Sequence, residues 1–116
     1  MPGQPNILLV ITDQQRADTM PGEAPAVLRT PHLSWLAERG TTFRNAYCTS
    51  PICTPARGSI LTGLYTHKHR VIDNNRRVPA GTHFFPEWLQ AAGYATAFVG
   101  KWHMGGESDA PRPGFD

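Results

Sequence analysis

The sequence has few cysteines, little net charge and no long apolar run, and each shortage excludes a class of protein. Two cysteines, Cys48 and Cys53, are too few for a disulfide framework. Eleven basic and nine acidic side chains leave a net charge of +2, and the cations are interspersed with acids, so we expect no nucleic-acid partner. No segment approaches the roughly 18 apolar residues of a membrane span, so we expect no membrane partner either.

The first residues lack the features of a secretory signal. Residues 1–5 contain no basic side chain ahead of the apolar stretch 7–11, and that stretch is too short for the apolar core of a signal peptide. The sequence therefore predicts a cytoplasmic protein. In that reducing compartment a cysteine is more often buried, catalytic or metal-bound than paired.

The composition is that of a globular chain with many turns. Hydrophobic residues make up 40% of it and charged residues 17%, while 11 glycines and 11 prolines indicate short elements separated by turns. At 116 residues we expect one domain at most, covering 1–116.

Three segments are predicted to be extended. Residues 6–12 form a continuous apolar, β-branched run closed by Asp13, which predicts a strand buried on both faces. An Asp at the carboxyl end of such a strand lies where open α/β sheets bind their ligands. Residues 41–47 predict a second extended piece, and residues 94–99 predict another buried strand.

Three helices are predicted between these segments. The first begins with Thr30 and Pro31 and ends at Gly40, and its apolar stripe consists of Leu33, Leu36 and Ala37. The second has Thr54 as its N-cap, Pro55 at its first position and Gly63 as its stop, with Ile60 and Leu61 facing inward. The third covers 85–92, and residues 64–81 are predicted to be a loop. Helices that alternate with buried strands indicate an α/β fold, a mostly parallel sheet flanked by helices.

The start of the second helix carries the chemistry. Cys53 lies at the mouth of this helix, where the first backbone N–H groups are unpaired and the dipole is positive, an arrangement that favours a bound oxyanion. Arg57 follows one turn later, and its side chain leans back toward Cys53. This geometry predicts attack on a tetrahedral anionic ester.

Two longer motifs resemble a known family. Cys-Thr-Pro-Ala-Arg at 53–57, followed by Leu-Thr-Gly at 61–63, is similar to the first signature of the type I sulfatases in the alkaline phosphatase superfamily. Residues 93–103, which end in Gly-Lys-Trp-His, resemble the second signature. The run closed by Asp13 resembles the metal-binding amino terminus of the same family. The resemblance implies an alkaline phosphatase/sulfatase-like α/β fold.

The resemblance also implies roles for individual residues. Cys53 would be oxidised to Cα-formylglycine by a formylglycine-generating enzyme, and its hydrate would supply the nucleophile toward a small sulfate monoester. Arg57 would stabilise the hydrate and its developing anion. Lys101 would pair with a sulfate oxygen and also act in catalysis, and His103 would transfer a proton near the leaving group.

A divalent cation is implied as cofactor. Asp13, Gln14 and the modified Cys53 would contribute ligands, and Ca²⁺ is the usual ion of the family. Many sulfatases have a second acid where this sequence has Gln14. The lost charge weakens the site for Ca²⁺ and makes Mn²⁺ an alternative.

Asp13 followed by Gln14 also resembles the phosphonate monoester hydrolases of the same superfamily. Asn74 would then correspond to a substrate-binding Asn of that branch, although Asp73-Asn74-Asn75 is also an ordinary turn sequence. Hydrolysis of phosphonate monoesters or phosphodiesters is therefore the alternative to sulfate ester hydrolysis. A zinc site of Cys48, His67 and His69 lacks the usual ligand spacing.

The length of the chain departs from the family. Family members are several times longer, and their remaining metal ligands come from far downstream. The hypothesis is that residues 1–116 are the amino-terminal part of a sulfatase catalytic domain, with an incomplete sheet. A further alternative is an inactive fragment that keeps the fold and is never oxidised at Cys53.

Overall fold

The computed structural model describes residues 3–105 and 111–116 and divides the chain into two units, Met1–Ala46 and Tyr47–Asp116. The two units differ in burial. None of residues 3–46 is buried, and every buried residue among those described lies in the second unit. The helices are α1 (Pro31–Arg39), α2 (Cys53–Thr62), α3 (Thr66–His69) and α4 (Phe85–Ala91), with a short 3-10 helix at Ala17–Thr19. In the two described ranges, no helix has the length and apolar character needed to cross a bilayer.

The predicted sheet is absent from the described residues, which contain no strand. Residues 7–11 lie on the surface with 39% to 87% of each residue exposed, and Val99 is 96% exposed. Residues 41–47 form no strand either. A strand exists only when a neighbour accepts its ladder of hydrogen bonds, and these apolar segments have no such neighbour among the described residues. The prediction of strands at 6–12 and 94–99 that are buried on both faces is therefore wrong for this chain.

Helix α1 begins and ends where the sequence predicts. Pro31 takes the first position after Thr30, and Gly40 follows the last turn and donates its backbone N–H to the carbonyl of Leu36. Its predicted apolar stripe is not buried, since Leu36 is 57% exposed and the helix has no buried residue. The helix is thus specified by its end signals rather than by packing in the first unit.

Helix α2 begins at Cys53, two residues before the predicted start. Pro55 therefore occupies the third position, which also needs no backbone N–H, because the first-turn donors have no partner within a helix. Thr54 lies inside the helix and is not its cap. The helix ends as predicted at Gly63, which has the left-handed φ of 68° that glycine adopts without strain. Leu61 is buried as predicted, whereas Ile60 is 44% exposed.

The segment between α2 and α4 contains one helical turn where a loop was predicted. Helix α3 covers Thr66–His69 and ends at Arg70 in the left-handed conformation, with φ of 60°. Helix α4 ends one residue before the predicted boundary. At its start the carboxylate of Glu87 accepts the backbone N–H of Phe84 at 2.5 Å and so caps the helix.

The core of the second unit supports the Gly-Lys-Trp-His segment. Leu61, Phe84 and Met104 are buried together, and they are joined by the partly buried side chains of Val78, Phe85, Trp102 and Phe115. Trp102 makes an edge-to-face contact with Phe115 at 6.2 Å between ring centroids. The core therefore anchors the residue that separates Lys101 from His103.

Candidate active site

The N-terminal end of α2 brings together a cysteine and a cation. Cys53 is the first helical residue and is half-buried, and Arg57 lies one turn further along. The first turn contains no acidic side chain that would neutralise the positive end of the helix dipole. The prediction that Cys53 stands at the mouth of a helix followed by Arg57 is confirmed.

The predicted cradle of unpaired backbone N–H groups at this helix end is smaller than the sequence indicates. The N–H of Thr54 donates to the side-chain oxygen of Asn74 at 3.0 Å, Pro55 has no N–H, and the N–H of Ala56 donates to the carbonyl of Ile52 at 2.9 Å. Neither the N–H of Thr54 nor that of Ala56 is therefore available to an anion near Cys53.

Asn74 caps α2 from a distant turn. Its carboxamide oxygen accepts the N–H of Thr54, the residue next to Cys53, although the two residues are 20 positions apart in the sequence. The turn itself is stabilised by Asp73, whose carboxylate accepts the N–H of Asn75 at 2.8 Å. Asn74 thus lies close to the residue that the sequence assigns as nucleophile, and its oxygen is engaged with the helix.

Helix α2 also binds the backbone of the second signature. Arg57 donates from Nη1 to the carbonyl of Lys101 at 2.6 Å, and Thr54 donates from Oγ1 to the carbonyl of His103 at 2.7 Å. Lys101 and His103 are both exposed at the surface. The structure therefore places the segments of five predicted site residues around one helix end: Cys53, Arg57, Asn74, Lys101 and His103.

His103 adopts a left-handed backbone conformation, with φ of 52°. For a residue with a side chain this conformation costs about 1–2 kcal/mol, and it is concentrated at functional sites. The sequence indicates a helix cap at Thr54 and gives no sign of its hydrogen bond to the His103 carbonyl.

His69 is a second residue whose role the sequence did not reveal. It is 1% exposed, its Nδ1 accepts the backbone N–H of Val71 at 3.2 Å, and its Nε2 lies 2.9 Å from Oγ of Ser59 in α2. Because Nδ1 is the acceptor, Nε2 carries the proton and donates to Ser59. Burial lowers the pKa of His69 below its usual value. With both ring nitrogens engaged, His69 fastens α3 to α2.

The predicted cation ligands Asp13 and Gln14 belong to the first unit, and both are exposed. Gln14 has a left-handed φ of 54°, a conformation that is uncommon for a residue with a side chain. The described residues contain no group of three His, Cys, Asp or Glu side chains that could hold a metal ion. Ca²⁺ takes about six to eight oxygen ligands, so the described residues do not form a complete calcium site.

A comparison with protein families decides the classification. The family model for sulfatases matches residues 5–116, which is nearly the whole chain. The chain belongs to the sulfatase family. Its membership confirms the resemblance of the two signatures and supports the alkaline phosphatase-like α/β fold class, even though the described residues contain no strand.

Individual relatives agree with this assignment. The chain is 36% identical over 121 residues to an ulvan-active sulfatase from Formosa agariphila, and the match covers 99% of this chain and 24% of that protein. It is 41% identical over 101 residues to a multifunctional alkaline phosphatase superfamily protein from Trinickia caryophylli, with 82% of this chain and 20% of that protein covered. The chain thus spans about a fifth to a quarter of the length of these two relatives.

A solved structure shares the backbone arrangement. It is a protein in complex with its substrate D-glucosamine-2-N,6-O-disulfate, with a TM-score of 0.87 and 33% sequence identity, and the match covers 98% of this chain and 22% of that one. The backbone of this sulfatase chain is therefore similar to that of about a fifth of the neighbouring protein.

Proposed function

We propose that the protein containing this chain hydrolyses sulfate monoesters, with residue 53 in its Cα-formylglycine form as the source of the nucleophile. One observation carries the proposal: α2 gathers Cys53, Arg57 and the backbone of the Lys101–His103 segment at its N-terminal end. The sulfated sugar bound by the structural neighbour supports a small sulfate ester as substrate class.

The aldehyde form of residue 53 supplies, when hydrated, one hydroxyl that attacks sulfur and a second that allows release of sulfate by elimination. Around it, Arg57 presents a guanidinium fixed by its bond to the Lys101 carbonyl, which stabilises negative charge that develops on the reacting oxygens. Lys101 pairs with a sulfate oxygen, and His103 donates a proton to the leaving oxygen. The described residues do not form a complete cation site.

A divalent cation and a parallel sheet are proposed features of the complete protein. Asp13 and Gln14 remain the proposed protein ligands of a divalent cation, Ca²⁺ or Mn²⁺, with further ligands needed to complete the shell. A mostly parallel sheet in the complete protein is the proposed cover for the exposed apolar residues 7–11. Cytoplasmic residence also remains a proposal from the sequence.

Hydrolysis of phosphonate monoesters or phosphodiesters is the second candidate. Gln14 in place of an acid and the 41% identity to a multifunctional alkaline phosphatase superfamily protein support it. The two candidates are separated by the ratio of turnover rates on an aryl sulfate and on an aryl phosphonate monoester. A higher kcat/KM on the sulfate supports the first candidate, and the reverse order supports the second.

The modification of Cys53 is tested by mass spectrometry of the complete protein as expressed from its gene, with and without co-expressed formylglycine-generating enzyme. The peptide 47–57 contains both cysteines, and Cys48 is exposed, so Cys48 serves as an internal control for alkylation. We expect one alkyl group on the peptide after co-expression and two without it. Turnover of the aryl sulfate should follow the modified fraction, and Cys53→Ala should abolish it.

Two alkyl groups on the peptide after co-expression, together with no turnover, would contradict the proposed function. That result would favour the inactive alternative, in which the fold is kept and residue 53 stays a thiol. Cys48→Ala is the matched variant, because it removes the neighbouring exposed thiol and should leave turnover unchanged.

A further inference from the structure

Thr54 occupies the position between Cys53 and Pro55 in the first signature, to which neither the motif nor the proposed mechanism gives a task. We propose that Thr54 is a positioning residue, which holds His103 through its backbone carbonyl in the conformation required at the active site. This inference rests on the proposed function, because it is that function which gives His103 a part in the reaction.

The contacts of Thr54 join three segments of the second unit. The residue is 0% exposed, its hydroxyl donates to the carbonyl of His103 at 2.7 Å, and its backbone N–H donates to the side chain of Asn74 at 3.0 Å. Through its peptide bond it also adjoins Cys53. One buried side chain therefore ties the turn that carries the nucleophile to the segment that carries the proposed acid.

His103 needs such a contact because its own conformation is unfavourable. Its φ of 52° is left-handed, and its side chain is exposed at the surface, whereas its neighbours Trp102 and Met104 pack in the core. Packing thus holds the chain on both sides of His103, and the carbonyl of His103 itself is held by Thr54. The hydrogen bond from Thr54 orients the His103 carbonyl and so favours the left-handed conformation, which sets the direction of the imidazole.

Arg57 provides a parallel contact from the same face of α2. Thr54 and Arg57 are three positions apart, so their side chains lie on one face of the helix. Arg57 binds the carbonyl of Lys101 and Thr54 binds the carbonyl of His103, two residues further along the chain. One face of α2 therefore sets the position of the whole Gly-Lys-Trp-His segment.

Two variants of Thr54 distinguish the effect of its hydroxyl group from the effect of its side-chain volume. Thr54→Val removes the hydroxyl at nearly constant volume, and Thr54→Ser keeps it. Both keep the backbone N–H that Asn74 accepts. In the complete protein co-expressed with a formylglycine-generating enzyme, we expect Thr54→Val to lower kcat for an aryl sulfate about tenfold or more with KM changed by less than about twofold. Thr54→Ser should restore kcat to within about threefold of the wild type.

Cleavage by trypsin after Lys101 provides a readout that needs no catalysis. Without the hydrogen bond to His103, the segment around Lys101 should unfold locally more often. We therefore expect trypsin to cleave Thr54→Val about fivefold faster than the wild type, and Thr54→Ser at the wild-type rate. Cleavage after Arg29, which lies in the other unit, is the internal control and should be the same in all variants.

Three results decide between the possibilities. Equal kcat and equal cleavage in Thr54→Val and wild type overturn the proposal, and so does a Thr54→Ser variant that is as impaired as Thr54→Val, because packing would then be the cause. If Thr54→Val does not fold, the pair Thr54→Ser and Thr54→Ala differs by the hydroxyl alone and replaces it. Absence of turnover in the wild type rejects the proposed function, while the cleavage rates still decide whether Thr54 holds His103.

Discussion

Both ring nitrogens of His69 have hydrogen-bond partners, and this determines which protonation state the folded chain accepts. Nδ1 is an acceptor for the N–H of Val71, and a protonated ring would present a second donor there. The groups that hold the ring are uncharged: the backbone of Val71, the hydroxyl of Ser59 and the surface of Gly58. Burial disfavours a positive charge on the ring more strongly than the backbone hydrogen bond favours it.

The stability of the chain should therefore fall in acid because of His69. Burial lowers its pKa in the folded state, whereas the unfolded chain has the ordinary value of 6.5. As pH falls below 6.5, the unfolded state takes up a proton that the folded state does not, so the free energy of unfolding decreases until pH reaches the folded pKa. Above 6.5 this contribution is constant.

The measurement is the change in Tm between pH 8 and pH 5. We expect His69→Gln, which cannot titrate, to lose less Tm over this interval than the wild type. His67→Gln is the matched control, because His67 is exposed and lies two residues away in the same helix. An equal change in Tm for His69→Gln and His67→Gln would contradict the assignment of the acid sensitivity to His69.

At the scale of elements, α2 and α3 approach closely because Gly58 has no side chain. A Cβ at position 58 would lie 3.3 Å from Cε1 and 3.4 Å from Nδ1 of His69, which is a tight contact. The ring has little freedom to move aside, since hydrogen bonds hold both of its nitrogens. The glycine in the middle of α2 is thus explained by the neighbouring helix rather than by a turn.

Because of this contact, we expect Gly58→Ala to change the free energy of unfolding in opposite directions in the wild type and in the His69→Ala variant. Gly58→Ala in a helix interior usually stabilises by about 1 kcal/mol, but here we expect the free energy of unfolding to fall by about 1 kcal/mol because the ring is crowded. In the His69→Ala background the same substitution should raise it by about 1 kcal/mol. Denaturant unfolding of the four proteins measures the coupling. A stabilising effect of equal size in both backgrounds would rule out the proposed close contact.

The elements that were predictable from the sequence are those defined by local signals. Pro31 and Gly40 mark the ends of α1, and Gly63 ends α2, because each acts through its own backbone geometry. The start of α2 was misplaced because Thr54 has the chemistry of a cap, while its actual partner is His103, a residue 49 positions away. Contacts of this range leave no periodic signal in a single sequence.

In the candidate site, too, features set by local sequence were predictable and features set by distant contacts were not. The motif spacing identified Cys53 and Arg57, since both lie within one helix turn of each other. The tie from Asn74 to the helix and the buried position of His69 depend on how the segment after α2 folds back. Hydrophobic pattern alone also overestimated the sheet: residues 7–11 have the composition of a buried strand, but burial requires neighbouring strands that the described residues do not contain.

At the scale of the whole molecule, the described chain buries little of its apolar surface. Four hydrophobic side chains among the described residues are buried, Leu61, Val71, Phe84 and Met104, and all lie in the second unit. In the first unit, Leu8 is 87% exposed and Val10 is 74% exposed, within an unbroken apolar run. Contiguous exposed apolar surface in a segment of strand-like composition favours association between copies.

We expect the double variant Leu8→Lys, Val10→Lys of the 116-residue chain to aggregate less without a change in fold stability. Both side chains are already exposed, so their replacement should alter the free energy of unfolding by no more than about 0.5 kcal/mol each. Light scattering as a function of protein concentration measures association, and denaturant unfolding measures stability. The control places the same two charges at the exposed residues Thr41 and Thr42, which removes no large apolar side chain. If that control suppresses scattering as strongly, the added charge and not the apolar run 7–11 governs association.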